Sequence, residues 1–499
     1  MSQPSSDSPA RDTGNLLNSE AQPASSSPRI VAIGLATVGL YLLMQNSQRA
    51  ISLGTRPVLH LALYWATIVV LFMLYVRLLV SYVKLRPRTP LLRGFVLGVP
   101  LLINCMLLVS PPALSIDSFS YISHGYVAAE LNRNPYAEPS SSVAATPLGQ
   151  ELEDYGWRPV HPVTPYGPLW THAETIVVRF VSDVSAELIL LKTVAVVCSL
   201  GSAWMIWLIL GRVAPQNRWF GVIAYLWNPL IIAEFAGEGH NDSVMIFFTL
   251  LGLFLTLVRR SATGTLALSL GVLTKYLPLM IVPLKAAYEW RVLRPDRYLV
   301  LRWCSSVFVA ATLAALLFAP FWIGSQTFAG IQLTGRPGHT GSTQTVIVEA
   351  LSRIAPGWNA ETTVLFVALG VFVAFLGLQT LTVVDTDSFL KACAWTAVAY
   401  VLFAAPSFWP WYATLPVALL ALNPRQTSLW ILVALSLGAR LVAPLDQLYV
   451  HEIVGRPTYF LSVWLGGVAL PLTILAMLFF KNRTRRRYSF ARVRASDKA

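Results

Sequence analysis

Three polar clusters stand against long apolar runs, and each contains residue types able to do chemistry. The first is Ser115–Tyr136, SIDSFSYISHGYVAAELNRNPY. Asp117, Tyr121, His124 and Ala128 fall at i, i+4, i+7 and i+11, so a helix places them on one face. Asn134-Pro135 is expected to end that helix. A carboxylate at an apolar boundary gains basicity from desolvation and is suited to taking a proton. The alternative is that Asp117 caps the helix by accepting amide N–H groups. The same segment continues through Tyr155, Trp157, His161 and TPYGPLW (Thr164–Trp170), which includes Tyr166. Its Pro and Gly mark turns, and its aromatics either line a ligand site or anchor at a membrane interface.

The second cluster is NPLIIAEFAGEGHNDS, Asn228–Ser243. Glu234 and Glu238 are i, i+4, as are Glu238 and Asp242, with Gly237 and Gly239 loosening the backbone between them. Charges beside an apolar core are costly, which makes a functional role the default. Glu238, His240 and Asp242 are conceivable metal ligands, but no second ligand cluster accompanies them, so no metal is expected. His240-Asn241-Asp242 is also placed to cap the next helix. The third group is cationic, Lys275, Arg336 and His339, of the kind that holds phosphate. For a lone Lys275 the competing role is snorkelling. PSFWPWY (Pro406–Tyr412) is an aromatic turn containing Trp411, for which interfacial anchoring is a sufficient explanation.

The elements that position these residues follow from composition. Of 499 residues, 55% are hydrophobic and 12% are charged, with mean hydropathy +0.59. Soluble domains carry about 25% charged residues, so most of this chain belongs in lipid. Only helices and closed barrels satisfy their backbone there, and the apolar runs have helix length. The expected class is an all-α polytopic membrane protein. The net charge of +13 does not indicate nucleic acid: the basic residues sit in short loops and in the tail KNRTRRR (Lys481–Arg487), without an aromatic–basic platform. The four cysteines lie singly in apolar stretches and read as packing residues.

Charge placement orders the crossings. Met1–Pro28 is Ser/Pro-rich and expected to be a disordered cytoplasmic terminus, followed by a membrane domain over 29–480 and a basic cytoplasmic tail, 481–499. Spans near 29–47, 57–82 and 92–113 put Lys84, Arg86, Arg88 and Arg93 inside, and a long loop, 114–187, outside. Thr171–Leu191 reads as an interfacial helix leading into a span near 186–211. Further spans fall near 218–236 and 243–258, ending at Arg259-Arg260. The stretch 262–284 has basic flanks on both sides, so two half-spans meeting near Lys275–Pro278 are expected, with a single span as the alternative. Spans near 301–323, 362–384, 389–405, 410–422, 427–444 and 457–480 complete about 13–14 crossings, with a second long external segment at 324–360.

In order and context, DSFSYISHG, NPL…GEGHNDS, LTKYLP and PSFWPWY resemble the bacterial members of the GT-C superfamily. The resemblance is in particular to the actinobacterial polyprenyl-phosphate-mannose-dependent α-1,6-mannosyltransferases of lipomannan and lipoarabinomannan synthesis, and it covers most of residues 95–425. It implies a GT-C-like helical bundle in the plasma membrane, with both termini cytoplasmic and the active site external. The implied donor is polyprenyl-phosphate-mannose, the acceptor is a growing lipoglycan, and no cofactor is indicated. The family's catalytic acid in the first external loop matches Asp117. Tyr121, His124, Glu130, Tyr166, Glu238, His240, Asn241, Asp242, Lys275, Arg336, His339 and Trp411 are the substrate-binding candidates. Many superfamily members carry a paired acidic motif where this chain reads Ser115-Ile116-Asp117-Ser118. The partner acid is therefore open between Glu130 and Asp242. A β-linked donor and an α-linked product imply inversion, with Asp117 as base and Lys275, His240 and Arg336 stabilising the leaving phosphate. The alternatives are an arabinofuranosyl- or glucosyltransferase of the same donor class, or a secondary transporter, against which the long loops and lack of an internal repeat argue.

Overall fold

The computed structural model describes residues 27–481, except 86, 88, 161, 162 and 294–297, with no account of the side chains of 27–30, 82–85 and 299. The expectations for Met1–Pro28, the tail 481–499, Arg86, Arg88 and His161 lie outside the described residues, except that Ser27 opens the first helix and Lys481 closes the last.

Among the described residues all regular structure is helical. Eight helices among the described residues are long and apolar enough to cross a bilayer. A ninth is counted if Pro215–Leu226 and Pro229–Gly237, bent by 50°, form one broken span. The bend has a local cause: Pro229 has no N–H, and the Asn228 side chain takes the Leu230 amide at 2.9 Å, starting a new helix. The polytopic class is therefore as expected, whereas the count of about 13–14 crossings treated short apolar helices as spans. Asp242–Leu257, Ser261–Thr274 and Pro410–Ala421 are such helices. Sixteen residues reach only about 24 Å, short of the roughly 30 Å hydrocarbon layer.

The expected break after residue 262 is present. Helix Ser261–Thr274 ends at Lys275, whose backbone is extended, and Leu277–Ile281 turns into helix Val282–Arg291. Segment 114–187 is folded rather than a loose loop. Helix Asp117–Ala129 packs against helix Pro168–Phe180 around a buried cluster that includes Tyr121, Trp157, Tyr166 and Trp170. The first helix stops at Glu130, four residues before Asn134-Pro135. The anticipated continuous helix Thr171–Leu191 is two helices, broken between Phe180 and Val184, where Asp183 caps the second by accepting the Ala186 amide at 2.8 Å.

Close approach at Gly167 joins this segment to the Lys275 break. The Gly167 N–H donates to the Thr274 carbonyl at 3.0 Å, and a Cβ on Gly167 would lie 2.1 Å from the Leu273 oxygen. Gly167→Ala is expected to destabilise the protein by about 1–3 kcal/mol through overpacking against backbone that cannot yield. Thermal unfolding in detergent tests this, and a wild-type midpoint would count against it.

Candidate active site

Asp117 owes its position to two buried charges that grip the link preceding it. Lys192, on helix Val184–Val213, donates to the Leu107 carbonyl at 2.9 Å and to the Ser110 carbonyl, at and just beyond the end of helix Pro90–Leu108. Glu238 takes the next donors: one carboxylate oxygen accepts the amides of Ala113, Leu114 and Ser115 at 3.1, 3.1 and 3.0 Å. Ser118 Oγ then donates to the Glu238 carbonyl at 2.6 Å. Gly239 makes this approach possible, at φ +78°, where a Cβ would stand 2.5 Å from Ser118 Oγ. The cap position belongs to Ile116, not Asp117.

Asp117 is buried, and among the described residues its carboxylate meets Tyr166 and His240. Tyr166 donates its hydroxyl to Oδ2 at 2.9 Å, and His240 Nδ1 lies 3.5 Å from the same oxygen. Burial and then the Asp117 charge push the Tyr166 phenol well above its usual range, so it stays protonated and donating. The Tyr166 carbonyl is itself held by the hydroxyls of Tyr136 at 2.9 Å and Tyr276 at 3.5 Å. On its other side His240 Nε2 lies 3.3 Å from Glu234, which is also paired with the buried guanidinium of Arg440. Neither His240 contact has hydrogen-bond alignment, so both act as charge contacts. The His240 ring stacks on Trp411 at 4.1 Å, and Trp411 stacks on Trp409 at 5.1 Å. Nearby, Lys275 Nζ donates to Asp242 at 2.7 Å and lies over the rings of Tyr412 and Tyr166, at 5.5 and 5.9 Å.

Burial alone would lower the His240 pKa, but the carboxylates of Asp117 and Glu234 outweigh it and push it up to about 9. The folded state therefore holds this proton more tightly than the unfolded chain. The stabilisation is fully present below the ordinary value of 6.5 and is lost as pH rises through about 9. The thermal midpoint should fall between those limits, and His240→Gln should flatten that part of the profile. Parallel profiles for the two proteins would refute the assignment.

These groups face a cavity of about 680 Å³. Part of its lining is apolar, with Leu277, Met280, Ile331, Phe372 and Tyr400; another part includes Leu114–Ile116 and, on the short helix Leu445–Val450, Asp446 and Tyr449. Of the expected site residues, Asp117, Tyr166, Glu238, Lys275, His339 and Trp411 line the cavity. His240 and Asp242 stand directly behind it, through Asp117 and Lys275. Tyr121 and His124 do share the Asp117 face, but it is turned inward. Tyr121 packs edge-on against Tyr166 and Trp170, with its hydroxyl accepting the Asn241 amide at 3.4 Å, and His124 packs on Tyr166. Asn241 is buried and does not line the cavity.

Two more candidates lie away from the cavity. Glu130 is exposed at the far end of its helix, and Arg336 is exposed and does not line the cavity. Glu130 is thereby removed as partner acid, because the helix carries it 13 residues, about 20 Å, from Asp117. The trio Glu238, His240 and Asp242 does not converge: each is committed in a different direction, and no group of metal-ligand side chains is found among the described residues. Arg440 is not among the sequence candidates, Trp409 and Tyr412 enter only as part of the aromatic turn PSFWPWY, and Glu234 only as a charge. Arg440 had a signal: it is the one charged residue within the apolar run Leu429–Leu445, a costly placement.

Chemically, the cavity presents a carboxylate able to accept a proton, the cations Lys275, Arg440 and Arg158, an aromatic stack and an apolar arm. A family model described as the alpha-(1->6)-mannopyranosyltransferase N-terminal domain matches residues 29–291, which include Asp117, Tyr166, Glu234, His240 and Lys275. Alpha-(1->6)-mannopyranosyltransferase A of Mycobacterium tuberculosis is 26% identical over 343 residues, 63% of this chain and 62% of that protein. The Corynebacterium glutamicum protein of the same description is 27% identical over 181 residues, 36% of this chain and 35% of that one. The chain thus matches about 62% of the length of the Mycobacterium relative. With more than half of its residues matched by the family model, the chain belongs to the alpha-(1->6)-mannopyranosyltransferase family.

Proposed function

We propose that this protein transfers mannose from polyprenyl-phosphate-mannose to an α-1,6-linked mannan lipoglycan at the external face of the plasma membrane. The observation that carries the reading is one cavity joining the buried Asp117 carboxylate to the cations Lys275 and Arg440 and to an apolar arm. A lipid-linked sugar phosphate needs all three. The external assignment rests on the basic short loops, which put the Asp117 end opposite the cytoplasm.

In this reading the polyprenyl tail lies in the arm formed by Leu277, Met280, Ile331 and Phe372, and its phosphate meets Lys275 and Arg440. The mannose ring rests against the Trp409–Trp411 stack. The acceptor hydroxyl attacks the anomeric carbon from the face opposite the phosphate, and its proton goes to Asp117. The anomeric C–O bond breaks, and the electron pair leaves with polyprenyl phosphate. Inversion follows from the single displacement. Tyr166 orients the carboxylate, and the cations stabilise charge that develops on the leaving oxygen. Asp242 holds Lys275 in place, so it serves phosphate binding rather than proton transfer.

The deciding experiment supplies liposome-reconstituted protein with labelled polyprenyl-phosphate-mannose and a short α-1,6-mannoside. Labelled, α-1,6-extended product is expected, with none from GDP-mannose. Transfer only from the glucosyl or arabinofuranosyl donor would replace the sugar assignment, and solute uptake without transfer would indicate a transporter. Lys275→Gln is expected to lower kcat/KM for the donor roughly 10- to 100-fold, the value of a charge-assisted hydrogen bond to phosphate. An unchanged donor KM and kcat would remove Lys275 from phosphate binding.

A further inference from the structure

The arm of the cavity lined by Arg158, Asp446, Tyr449 and Tyr459 holds a second set of recognition groups that the transfer step does not use. Tyr449 and Tyr459 stack in parallel, with centroids 4.9 Å apart and planes within 7°. Tyr459 is buried, while Tyr449 is 37% exposed, so one face of the pair is covered and the other is open. Beside them Asp446 accepts the Tyr459 hydroxyl at 3.3 Å on one oxygen and Arg158 Nη2 at 3.2 Å on the other. The Arg158 and Asp446 side chains keep 32% and 24% exposure. Only one of Arg158's five N–H groups is engaged among the described residues. All four side chains line the cavity.

An open aromatic face with a fixed carboxylate–guanidinium pair at its edge matches one ligand chemistry. A pyranose ring offers apolar C–H groups to the ring face and vicinal hydroxyls that both donate and accept at the edge. A lipid tail has no use for the ion pair, and the Asp446 charge opposes a phosphate. The arm is also tied to the reacting centre. Gln447, next to Asp446, donates to the Leu114 carbonyl at 3.1 Å, and Leu114, Ser115 and Ile116 line the cavity from there to Asp117.

We infer that Tyr449, Tyr459, Asp446 and Arg158 form a subsite for a sugar unit of the acceptor chain behind the one that is glycosylated. The inference rests on the transferase reading, with an acceptor lying along Leu114–Asp117. The enzyme then favours acceptors of several units over a single mannoside.

The test compares a methyl α-mannoside with a linear α-1,6-trimannoside, using wild type, Tyr449→Ala and Asp446→Asn. The variants should raise the trimannoside KM about 10-fold, the value of one lost stacking or buried polar contact. The monomannoside KM, the donor KM and kcat should hold within about 2-fold. Tyr449→Trp, which keeps an aromatic face, should restore the trimannoside KM. Equal losses for both acceptors, or no loss for either, overturn the subsite. Saturation-transfer NMR of the trimannoside on protein in nanodiscs separates the two readings. Binding that Tyr449→Ala abolishes, without any transfer, supports the subsite and refutes the transferase. Transfer with variants that bind and react like wild type does the reverse.

Discussion

Asp117→Asn is expected to reduce mannosyl transfer by about 10²–10⁴-fold, the usual contribution of a positioned general base. The substitution is nearly isosteric, and an amide oxygen can still accept the Tyr166 hydroxyl that reaches Oδ2 at 2.9 Å. What disappears is the negative charge, and with it the basicity that takes the acceptor proton. The link before it stays gripped by Lys192 and Glu238, neither of which depends on the Asp117 charge, so the variant should purify as a monodisperse species. Initial transfer rates, read with a size-exclusion profile, make the comparison. A well-folded Asp117→Asn protein with wild-type rates would end the base assignment. Tyr166→Phe should cost less, roughly 10-fold, because it removes one orienting hydrogen bond and leaves the base itself.

The second large effect concerns stability as well as activity. Glu234 and Arg440 form a buried ion pair between residues 206 positions apart. Breaking such a pair from one side strands a charge in a medium that solvates it poorly, typically at about 3–5 kcal/mol, whereas replacing both partners by apolar groups is often neutral. Here the two single changes should differ. Without Arg440, Glu234 retains His240 at 3.3 Å. Without Glu234, the Arg440 guanidinium, whose Nε and Nη2 have no hydrogen-bond partner among the described residues, loses its paired carboxylate. Thermal unfolding should therefore rank Glu234→Leu below Arg440→Met, with Glu234→Leu/Arg440→Met the most stable of the three. If Arg440 meets the donor phosphate, the double variant regains stability but not transfer. Equal midpoints for all three would show that the pair is not electrostatically coupled. Recovered activity in the double variant would assign Arg440 to structure alone.

The sequence by itself determined the class, because the proportion of apolar residues and the length of their runs fix which solvent the chain prefers. It also determined local geometry. The i, i+4, i+7 spacing does put Asp117, Tyr121 and His124 on one face, each against Tyr166. Basic flanks on both sides of 262–284 announced the break at Lys275, since the positive-inside preference and the Pro278 backbone act over a few residues.

Tertiary structure decided which polar groups meet. Glu130 and Arg336 have suitable side chains yet lie outside the cavity, because helix direction and loop course carry them away. Glu238 looked like a ligand and instead holds the backbone of Ala113–Ser115. The chain Asp117–His240–Glu234–Arg440 joins residues from three distant stretches. No local pattern encodes such a chain, since charge contacts depend on distance in space rather than along the sequence. Asp117 was readable as a candidate from its position after an apolar run. That it faces a cavity beside Tyr166 and Lys275, with His240 held behind it between two carboxylates, was settled only when the helices packed.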